Sequence, residues 1–455
     1  VRMNLNTYLL AYRGNSYGHL STFTIPANGS SITEVTSLQF TNSTMKYPSV
    51  VQMTEDTYIV AYYGYDSGTD HNGTAITNQW GQWISTFKVK PDGSAITRLG
   101  SLRHDYYNHS SPYSSLVKVD DDTYALAYQG YNQGTAGGNL WGGWIKTFTV
   151  NGGTITQTAQ LRHAEVQTTW HSLVQVDANT YLLAYTDDAY DGWLKTFTIP
   201  ANGSSITAVA SLEFATLDGI HNSLVQLDAD TYVNTWLSSS SNGKIGTYTI
   251  PANGSSITEA TTLVHDGSST SGYNSLITID ANTVLLTYSG ESADGFLKTF
   301  AIPADGSTIT EKIVLEHDVY FGSQNSVVQV DFDTYALAYW NNNSYGVIKT
   351  FDYSLTAATI NPRISSVDIA ADNSTIAVTM NEAVYNATGG SGALQANDFA
   401  LALSGGSATL ASATPTSISA SGNVYTLGMN ISGTPSGFEK ITVTPVDNSI
   451  YDATD

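Results

Sequence analysis

Short runs of apolar residues alternate with polar turns along most of this chain. The run "TYLLAY" (Thr180–Tyr185) is apolar on both faces of an extended strand, because tyrosine and leucine alternate with leucine and alanine. Three similar runs flank it, and the turn-forming sequences "DANT" and "PANGSS" separate neighbouring runs. The pattern predicts four strands in this stretch: Ser172–Val176, Thr180–Tyr185, Trp193–Ile199 and Ile206–Phe214.

The same four-strand pattern recurs along the chain, and each copy is marked by a threonine that opens its second strand. The seven copies, numbered one to seven, place this threonine at Thr7, Thr57, Thr123, Thr180, Thr231, Thr283 and Thr334. Because the second strand is apolar on both faces, each four-stranded sheet must pack between two neighbouring sheets. The repeat therefore predicts an all-β fold, a seven-bladed β-propeller with four-stranded blades over residues 1–360.

The two ends of the chain depart from the repeat. The opening "VRM" corresponds to the end of "VVQM" in copy two, so we expect a truncated first strand and a segment of a longer protein. From Asn361 the repeat gives way to about seven short strands with Gly, Ser and Asn turns. This pattern predicts an Ig-like β-sandwich over residues 361–455.

Composition narrows the classes of partner. Asp and Glu outnumber Lys and Arg by 39 to 17. This balance argues against nucleic acid as a partner, because binding to its phosphates requires clustered Lys and Arg side chains. There is no cysteine, and no apolar run approaches the length of a membrane-spanning helix. The abundance of Ser, Thr, Asn, Gly and Tyr is typical of β-rich secreted or cell-surface proteins, so we expect an extracellular location.

Strand direction assigns the loops to two faces. The turns after the first and third strands are nearly identical in every copy, whereas the loops on the opposite face vary. On the variable face the residue that enters the innermost strand is aromatic or His in copies two to six and Gln in copy seven. We call these the axial residues: Tyr47, Tyr113, Trp170, His221, Tyr273 and Gln324. They are predicted either to contact a ligand or to fill the central channel as packing.

Copies two and three carry long insertions between their second and third strands. Both contain Gly-Tyr-Asp/Asn-x-Gly-Thr, which includes Tyr65 and Tyr131, and both end in Trp-Gly-x-Trp. Trp83 and Trp144 align with core positions of other copies, but Trp80 and Trp141 are additional. An exposed indole can stack on the apolar face of a sugar ring, so Trp80 and Trp141, together with Tyr65 and Tyr131, are predicted to bind glycans. Alternatively they form cores of the loops themselves.

Two further groups of residues are weaker candidates. His104, His163, His265 and His317 recur at the end of the fourth strand, where Phe40 and Phe214 also occur, and this exchange indicates packing. The acidic loops offer possible calcium ligands at Asp66, Asp70, Asp187, Asp188 and Asp191, with Glu382, Asp398 and Asp452 as a second set. No other cofactor is predicted.

The repeat "DTYxLAY…GWLKTFTIPANGSSITEV…NSLVQVD" resembles propeller repeats in large secreted and surface proteins of marine bacteria. The tail, with "STIAVTMNEAV" and "SIYDATD", resembles Ig-like domains of bacterial adhesins and S-layer proteins. The resemblance implies extracellular display and identifies no catalytic residues. We therefore predict an adhesin-like binding module whose partner is a glycan or a cell-surface protein. A structural scaffold and a polysaccharide lyase or hydrolase are the alternatives.

Overall fold

The computed structural model is built almost entirely of β-strands. It describes residues 1–455 except 107–112, 133–139, 239–241, 268–271, 332, 344–345, 353–361, 363, 381, 406–407, 436–438, 447–448 and 452–455, together with the side chains of 132, 140 and 365. The chain forms two compact units, Val1–Asp352 and Tyr353–Asp455. The predicted boundary at residue 360 lies outside the described residues. In the described part, no helix is long and apolar enough to cross a membrane.

The first unit consists of consecutive antiparallel sheets. One six-stranded sheet contains β1 (Thr7–Gly14), β2 (Tyr17–Thr24), β3 (Thr33–Gln52), β4 (Thr57–Asp70), β5 (Ala75–Val89) and β6 (Ile96–Asp105). Four four-stranded sheets follow. The first two are formed by β7 (Ser115–Lys118), β8 (Thr123–Asn132), β9 (Leu140–Asn151) and β10 (Thr154–Ala164), and by β11 (Thr169–Asp177), β12 (Thr180–Thr186), β13 (Gly192–Thr198) and β14 (Thr207–Ala215). The next two are formed by β15 (Ile220–Gln226), β16 (Thr231–Leu237), β17 (Gly243–Thr249) and β18 (Thr258–Asp266), and by β19 (Gly272–Asp280), β20 (Thr283–Ser289), β21 (Gly295–Ala301) and β22 (Thr310–Asp318). A three-stranded sheet of β23 (Ser323–Gln329), β24 (Thr334–Trp340) and β25 (Gly346–Asp352) ends the unit, and a short 3-10 helix (Glu291–Ala293) precedes β21.

Copy four confirms the predicted four-strand pattern. Strands β11 to β14 pair in chain order, and Tyr181 lies opposite Phe197 in the β12–β13 ladder. All seven residues of β12 are buried, as expected for a strand with apolar side chains on both faces. The second strand of each copy therefore supplies the core between neighbouring sheets.

Neighbouring innermost strands are joined through serine side chains. The backbone N–H of Leu116 donates to Ser49 Oγ at 3.1 Å. Equivalent bonds join Leu173 to Ser115 (2.9 Å), Leu224 to Ser172 (3.0 Å), Leu276 to Ser223 (3.0 Å) and Val327 to Ser275 (3.2 Å). Because strands of different sheets form no backbone ladder here, the serine hydroxyl satisfies a donor that would otherwise be left unpaired.

A second contact joins the opposite end of the sheets. The hydroxyl of a threonine in the third strand of one copy donates to the carbonyl of the turn glycine in the next copy. The pairs are Thr22 with Gly93, Thr147 with Gly203, Thr196 with Gly254 and Thr247 with Gly306, each at 2.7 Å, and Thr350 with Gly29 at 2.9 Å. The last pair joins copy seven to copy one and closes the first unit into a ring.

The turn glycine is required for two reasons. At Gly254 the backbone has φ = 64°, and a Cβ there would lie 2.8 Å from Thr180 Cγ2 and 3.1 Å from Thr196 Cβ.

Copy three has a shorter turn, "NGG", and its Gly152 has no atom within 4 Å of a Cβ position. In copy two, Thr86 is the equivalent threonine, and its Oγ1 is buried and has no hydrogen-bond partner among the described atoms.

Histidine and lysine side chains form a third contact between sheets. The imidazole at the end of a fourth strand packs edge-on against a tyrosine of the next copy. The ring centroids are 4.8 Å apart for His104–Tyr128, 4.7 Å for His163–Tyr185, and 4.8 Å for both His265–Tyr288 and His317–Tyr339. A lysine of the same next copy donates to the histidine's own carbonyl: Lys146 to His104, Lys195 to His163, Lys298 to His265 and Lys349 to His317.

Phenylalanine replaces this histidine where the lysine is absent. Phe214 packs on Trp236 at 4.9 Å between ring centroids, and the lysine position of copy five is Gly246. Phe40 packs on Tyr62 at 5.2 Å, and the lysine position of copy two is Ser85. The predicted packing role of these four histidines agrees with their burial.

The second unit has its own hydrophobic core. Its strands are β26 (Ile364–Ile369), β27 (Thr375–Met380), β28 (Phe399–Ser404), β29 (Thr409–Leu410), β30 (Ile418–Ser421), β31 (Val424–Gly428), β32 (Ile431–Ser432) and β33 (Lys440–Pro445), with a 3-10 helix at Ala396–Asp398. Strands β26, β27, β31 and β30 form one sheet, and β28–β33 and β29–β32 form two small ones. Ile376, Val378, Leu401 and Leu427 pack within this core.

The threonine–glycine contacts predict opposite effects for the same substitution at two sites. Thr196→Val leaves the Gly254 carbonyl without its donor and the Ala210 N–H without its acceptor, so we expect a loss of about 1–3 kcal/mol in the free energy of unfolding. Thr86→Val removes a buried hydroxyl that has no partner, so it should be neutral or stabilising. Urea denaturation of the two variants provides the measurement, and an equal loss in both would contradict the proposed role of the contact.

Candidate functional site

The structure brings five of the six axial residues into mutual contact. Ring centroids are 4.0 Å apart for Tyr47 and Tyr113, and 3.5 Å for Tyr113 and Trp170. The distances are 3.6 Å for Trp170 and His221, and 4.7 Å for His221 and Tyr273. All five side chains are half-buried, whereas Gln324 is exposed. The aromatic side chains of copies two to six therefore form one continuous cluster.

An unusual backbone conformation directs these side chains. Positive φ values occur at Tyr47 (51°), Trp170 (55°), His221 (59°), Tyr273 (54°) and Gln324 (56°). Each lies where the pairing register shifts between the first and second strands, for example between Thr169 and Ser172. A left-handed conformation costs a non-glycine residue about 1–2 kcal/mol. The surrounding contacts must therefore stabilise this geometry in each copy.

Polar side chains hold the strained segments in place. His171 Nδ1 donates to the Tyr113 carbonyl at 2.7 Å, and Asn274 Nδ2 donates to the His221 carbonyl at 3.0 Å. Burial lowers the pKa of His171 to about 4, although its bond to Tyr113 opposes this shift. These residues directly follow axial residues in the sequence, so copy four fixes the axial backbone of copy three, and copy six fixes that of copy five.

The axial cluster is compact and uncharged at neutral pH. Burial lowers the pKa of His221 to about 3, and its Nδ1 has no hydrogen-bond partner among the described atoms. Burial, together with a hydrogen bond to Tyr47, raises the pKa of Tyr113. The rings stack mainly on one another, which is compatible with packing, and their half-exposed edges leave ligand contact possible. The ligand-binding role of the axial residues remains a prediction.

The insertions of copies two and three are extensions of regular strands. Strands β4 and β5 continue pairing beyond the sheet, as do β8 and β9, and we call these pairs the two long hairpins. Tyr65 lies opposite Trp80, with ring centroids 5.5 Å apart. Tyr131 lies opposite Trp141 at 5.0 Å. Two adjacent copies thus present the same aromatic pair in the same register.

The spacing Trp-Gly-x-Trp has a structural explanation. The second tryptophan packs in the core: Trp83 and Trp144 are buried, as predicted. The glycine lies against an arginine, because a Cβ at Gly81 would be 2.7 Å from Arg103 Cδ and one at Gly142 would be 2.6 Å from Arg162 Nε. The first tryptophan, Trp80 or Trp141, is half-buried on the hairpin.

Arg103 and Arg162 contact the backbone of the hairpin tryptophans, although the sequence motifs did not indicate them as site residues. Arg103 Nη1 donates to the Trp80 carbonyl at 3.5 Å, and Arg162 Nη2 donates to the Trp141 carbonyl. The guanidinium carbon of Arg103 also lies 4.2 Å from the ring centroid of Tyr106. The shared sequence Leu-Arg-His at the end of β6 and β10 was the available signal.

Four of the five carboxylates in the first set of predicted calcium ligands accept hydrogen bonds. Asp66 is buried and forms an ion pair with Arg98 at 2.6 Å. Asp70 Oδ1 accepts from the backbone N–H of Thr74 at 2.8 Å. Asp187 accepts from Trp193 Nε1 at 3.0 Å, and Asp191 Oδ1 accepts from the backbone N–H of Leu217 at 2.7 Å. Asp188 is exposed.

The second set of acidic candidates lies in the other unit. Asp398 Oδ2 accepts from the backbone N–H of Gln395 at 2.7 Å. Asp452 lies outside the described residues, and Glu382 is engaged in other contacts. Across the described part of the chain, no three His, Asp or Glu side chains converge as a metal-binding group. Calcium binding remains a prediction.

Comparison with solved structures defines the class of fold. The chain is similar to a candidate 6-phosphogluconolactonase from Bacteroides uniformis (TM-score 0.52, 12% identity, 77% of this chain and 95% of that one). A candidate 6-phosphogluconolactonase from Bacteroides fragilis gives a TM-score of 0.51 at 11% identity, covering 76% of this chain and 95% of that one. The periplasmic gluconolactonase of Pseudomonas aeruginosa gives 0.51 at 12% identity, covering 77% and 99%.

These structures and the succession of antiparallel sheets show a β-propeller-like fold. At this level of identity the likeness extends to the fold alone. No protein-family model matches the chain, and no curated protein matches its sequence.

Buried histidines predict a loss of stability in mild acid. Burial lowers the pKa of both His104 and His163 well below the usual value of a histidine. It lowers the pKa of His265 to about 3 and that of His317 to about 4. Between pH 6.5 and these values the unfolded chain binds protons that the folded chain does not. Stability present above pH 6.5 is therefore lost as the pH falls. We expect a loss of about 2 kcal/mol per fully buried histidine between pH 7.5 and 5.

His265→Phe tests this cause, because phenylalanine occupies the same position in copies one and four. Urea denaturation at pH 7.5 and pH 5 should show a smaller acid-induced loss in the variant than in the parent. Equal losses in the two proteins would assign the acid sensitivity to other groups.

Proposed function

We propose that the first unit is a seven-bladed propeller and the second an Ig-like sandwich. The six-stranded sheet then corresponds to blades one and two. Strand β3 joins these blades, because its first half pairs with β2 and its second half pairs with β4. Contacts between Thr350 and Gly29 and between Tyr8 and Val330 join the last blade to the first. In the second unit, a four-stranded sheet and two small sheets share one core.

The protein is an extracellular binding module that recognises glycans. The observation that carries this proposal is the repeated Tyr–Trp pair on the two long hairpins, at identical register in adjacent copies. Half-exposed indole and phenol rings supply the apolar platforms that sugar rings stack on. The propeller is the binding head of a cell-surface adhesin, and the Ig-like domain is part of its stalk.

Polysaccharide cleavage is the second candidate. Tyr106 Oη lies 2.9 Å from His71 Nδ1, and the Arg103 guanidinium lies over the Tyr106 ring. A lyase needs a Tyr or His base and a cation that neutralises the uronate carboxylate, and this cluster contains those groups. Burial and the nearby Asp70 carboxylate raise the pKa of Tyr106, which disfavours its action as a base. Binding without cleavage is therefore the better supported function. A purely structural scaffold would bind no glycan.

Glycan binding predicts a specific loss when both hairpin tryptophans are removed. The Trp80→Ala/Trp141→Ala variant should lose at least about tenfold in affinity, since each stacking aromatic contributes on the order of 1 kcal/mol or more. Affinity electrophoresis on a panel of marine and bacterial polysaccharides, with assay of shortened products, provides the measurement. Trp340→Ala is the matched control, because Trp340 is 43% exposed and lies outside the hairpins.

Retention of the parent and of Trp340→Ala, with weak retention of the double variant and no shortened products, is the expected result. Release of shortened products would favour the lyase. Retention by none of the polysaccharides would favour the scaffold.

A further inference from the structure

An arginine lies beneath each hairpin tryptophan, against the backbone of the hairpin. Arg103 is only 7% exposed, and its Nε has no hydrogen-bond partner among the described atoms. Arg162 is half-buried, and its Nε is likewise without a partner there. The protein partners of both guanidiniums include backbone carbonyls, namely those of Trp80, Trp141 and Glu165.

Neither arginine has a carboxylate partner in the described part of the chain. The ion pairs Lys88–Asp56, Arg98–Asp66, Lys118–Asp121 and Lys298–Glu311 involve other residues. This is unexpected in a protein in which acidic residues outnumber basic ones by 39 to 17. A buried charge without a counter-ion is destabilising by several kcal/mol, so such a group is usually paired.

The nearby carboxylates are engaged elsewhere. Asp66 pairs with Arg98, and Asp70 accepts from the backbone of its own turn. Asp105, two residues beyond Arg103, accepts from Tyr128 Oη at 3.1 Å and from the backbone N–H of Tyr131 at 3.0 Å. The two guanidiniums therefore keep their charge without a carboxylate partner, and their unpaired Nε groups are themselves buried against Gly81 and Gly142.

We infer that Arg103 and Arg162 select an acidic polysaccharide, one whose sugars carry carboxylate or sulfate groups. This inference rests on the proposed glycan-binding function. Arginine presents planar N–H donors that match the oxygen atoms of carboxylate and sulfate. Arg162, the more exposed of the two, contacts the anionic group, and Arg103 adds positive charge from beneath Trp80. The stacked sugar then places its anionic substituent toward the strand that carries the arginine.

Two matched pairs of polysaccharides test the selectivity. Polygalacturonate and its methyl ester differ in the charge of the carboxyl group, and κ-carrageenan and agarose are galactans with and without sulfate. Affinity electrophoresis of the full chain should show at least about tenfold stronger retention by the charged member of one pair, the value expected for one charge-assisted hydrogen-bond pair. The pair that shows the preference identifies the anionic group.

Arg162→Gln should reduce this charged-to-neutral ratio most strongly, and Arg103→Gln should reduce it less. Arg162→Lys, which keeps the charge and loses the planar fork, should give an intermediate ratio. Arg13→Gln is the matched control, because Arg13 is exposed and lies in copy one. A purely structural role of the arginines would weaken binding to both members of a pair and leave the ratio unchanged.

The outcomes separate this inference from the proposed function. Equal retention by charged and neutral members, with loss in Trp80→Ala/Trp141→Ala, would overturn the inference and leave glycan binding intact. An unchanged ratio in Arg162→Gln would also overturn it. Absence of retention by all four polysaccharides, and by the wider panel, would overturn the proposed function together with the inference.

Discussion

The contact between a third-strand threonine and the turn glycine of the next copy is the constraint on which the ring depends. Each sheet buries both faces of its second strand, so no copy is complete without two neighbours. The turn brings a carbonyl to the neighbouring hydroxyl only if its residue lacks a Cβ and adopts positive φ. Five such bonds are present among the described residues, and the Thr350–Gly29 bond joins sequence positions 321 residues apart. Closure of the ring is therefore linked to the recurrence of this threonine and this turn glycine from copy to copy.

The variable face is supported by that repetition. Because serine and threonine contacts fix each sheet, the axial residues can hold left-handed backbone conformations that would be unstable in isolation. The two long hairpins likewise extend strands that are already anchored in a buried core. Trp80 and Trp141 therefore lie on paired strands, and Arg103 and Arg162 donate to their backbone carbonyls from the adjacent strand. The proposed glycan-binding surface would therefore need little ordering when a ligand binds.

Much of the fold could be predicted because the repeat displays its own substitutions. The strand positions followed from the alternation of apolar runs and polar turns. Phe214 occupies the position of copy four that is equivalent to His265 in copy five, and this exchange indicated a packing role for both side chains. Burial of Trp83 followed from its alignment with core positions of other copies. The carboxylate of Asp66 was harder to interpret, because its partner Arg98 lies 32 residues away on a different strand. Local acidic clustering therefore suggested a calcium ligand where the structure has an ion pair.

The sequence by itself determined the strands, their order and the sites of unusual loops, because these depend on periodicity and on turn chemistry between near neighbours. Only the tertiary structure decided that the axial rings of Tyr47 to Tyr273 contact one another and that Arg103 and Arg162 lie beneath the hairpin tryptophans. These contacts join residues of different strands and different copies. Their geometry depends on register shifts and on packing between sheets, which no local pattern of residues specifies.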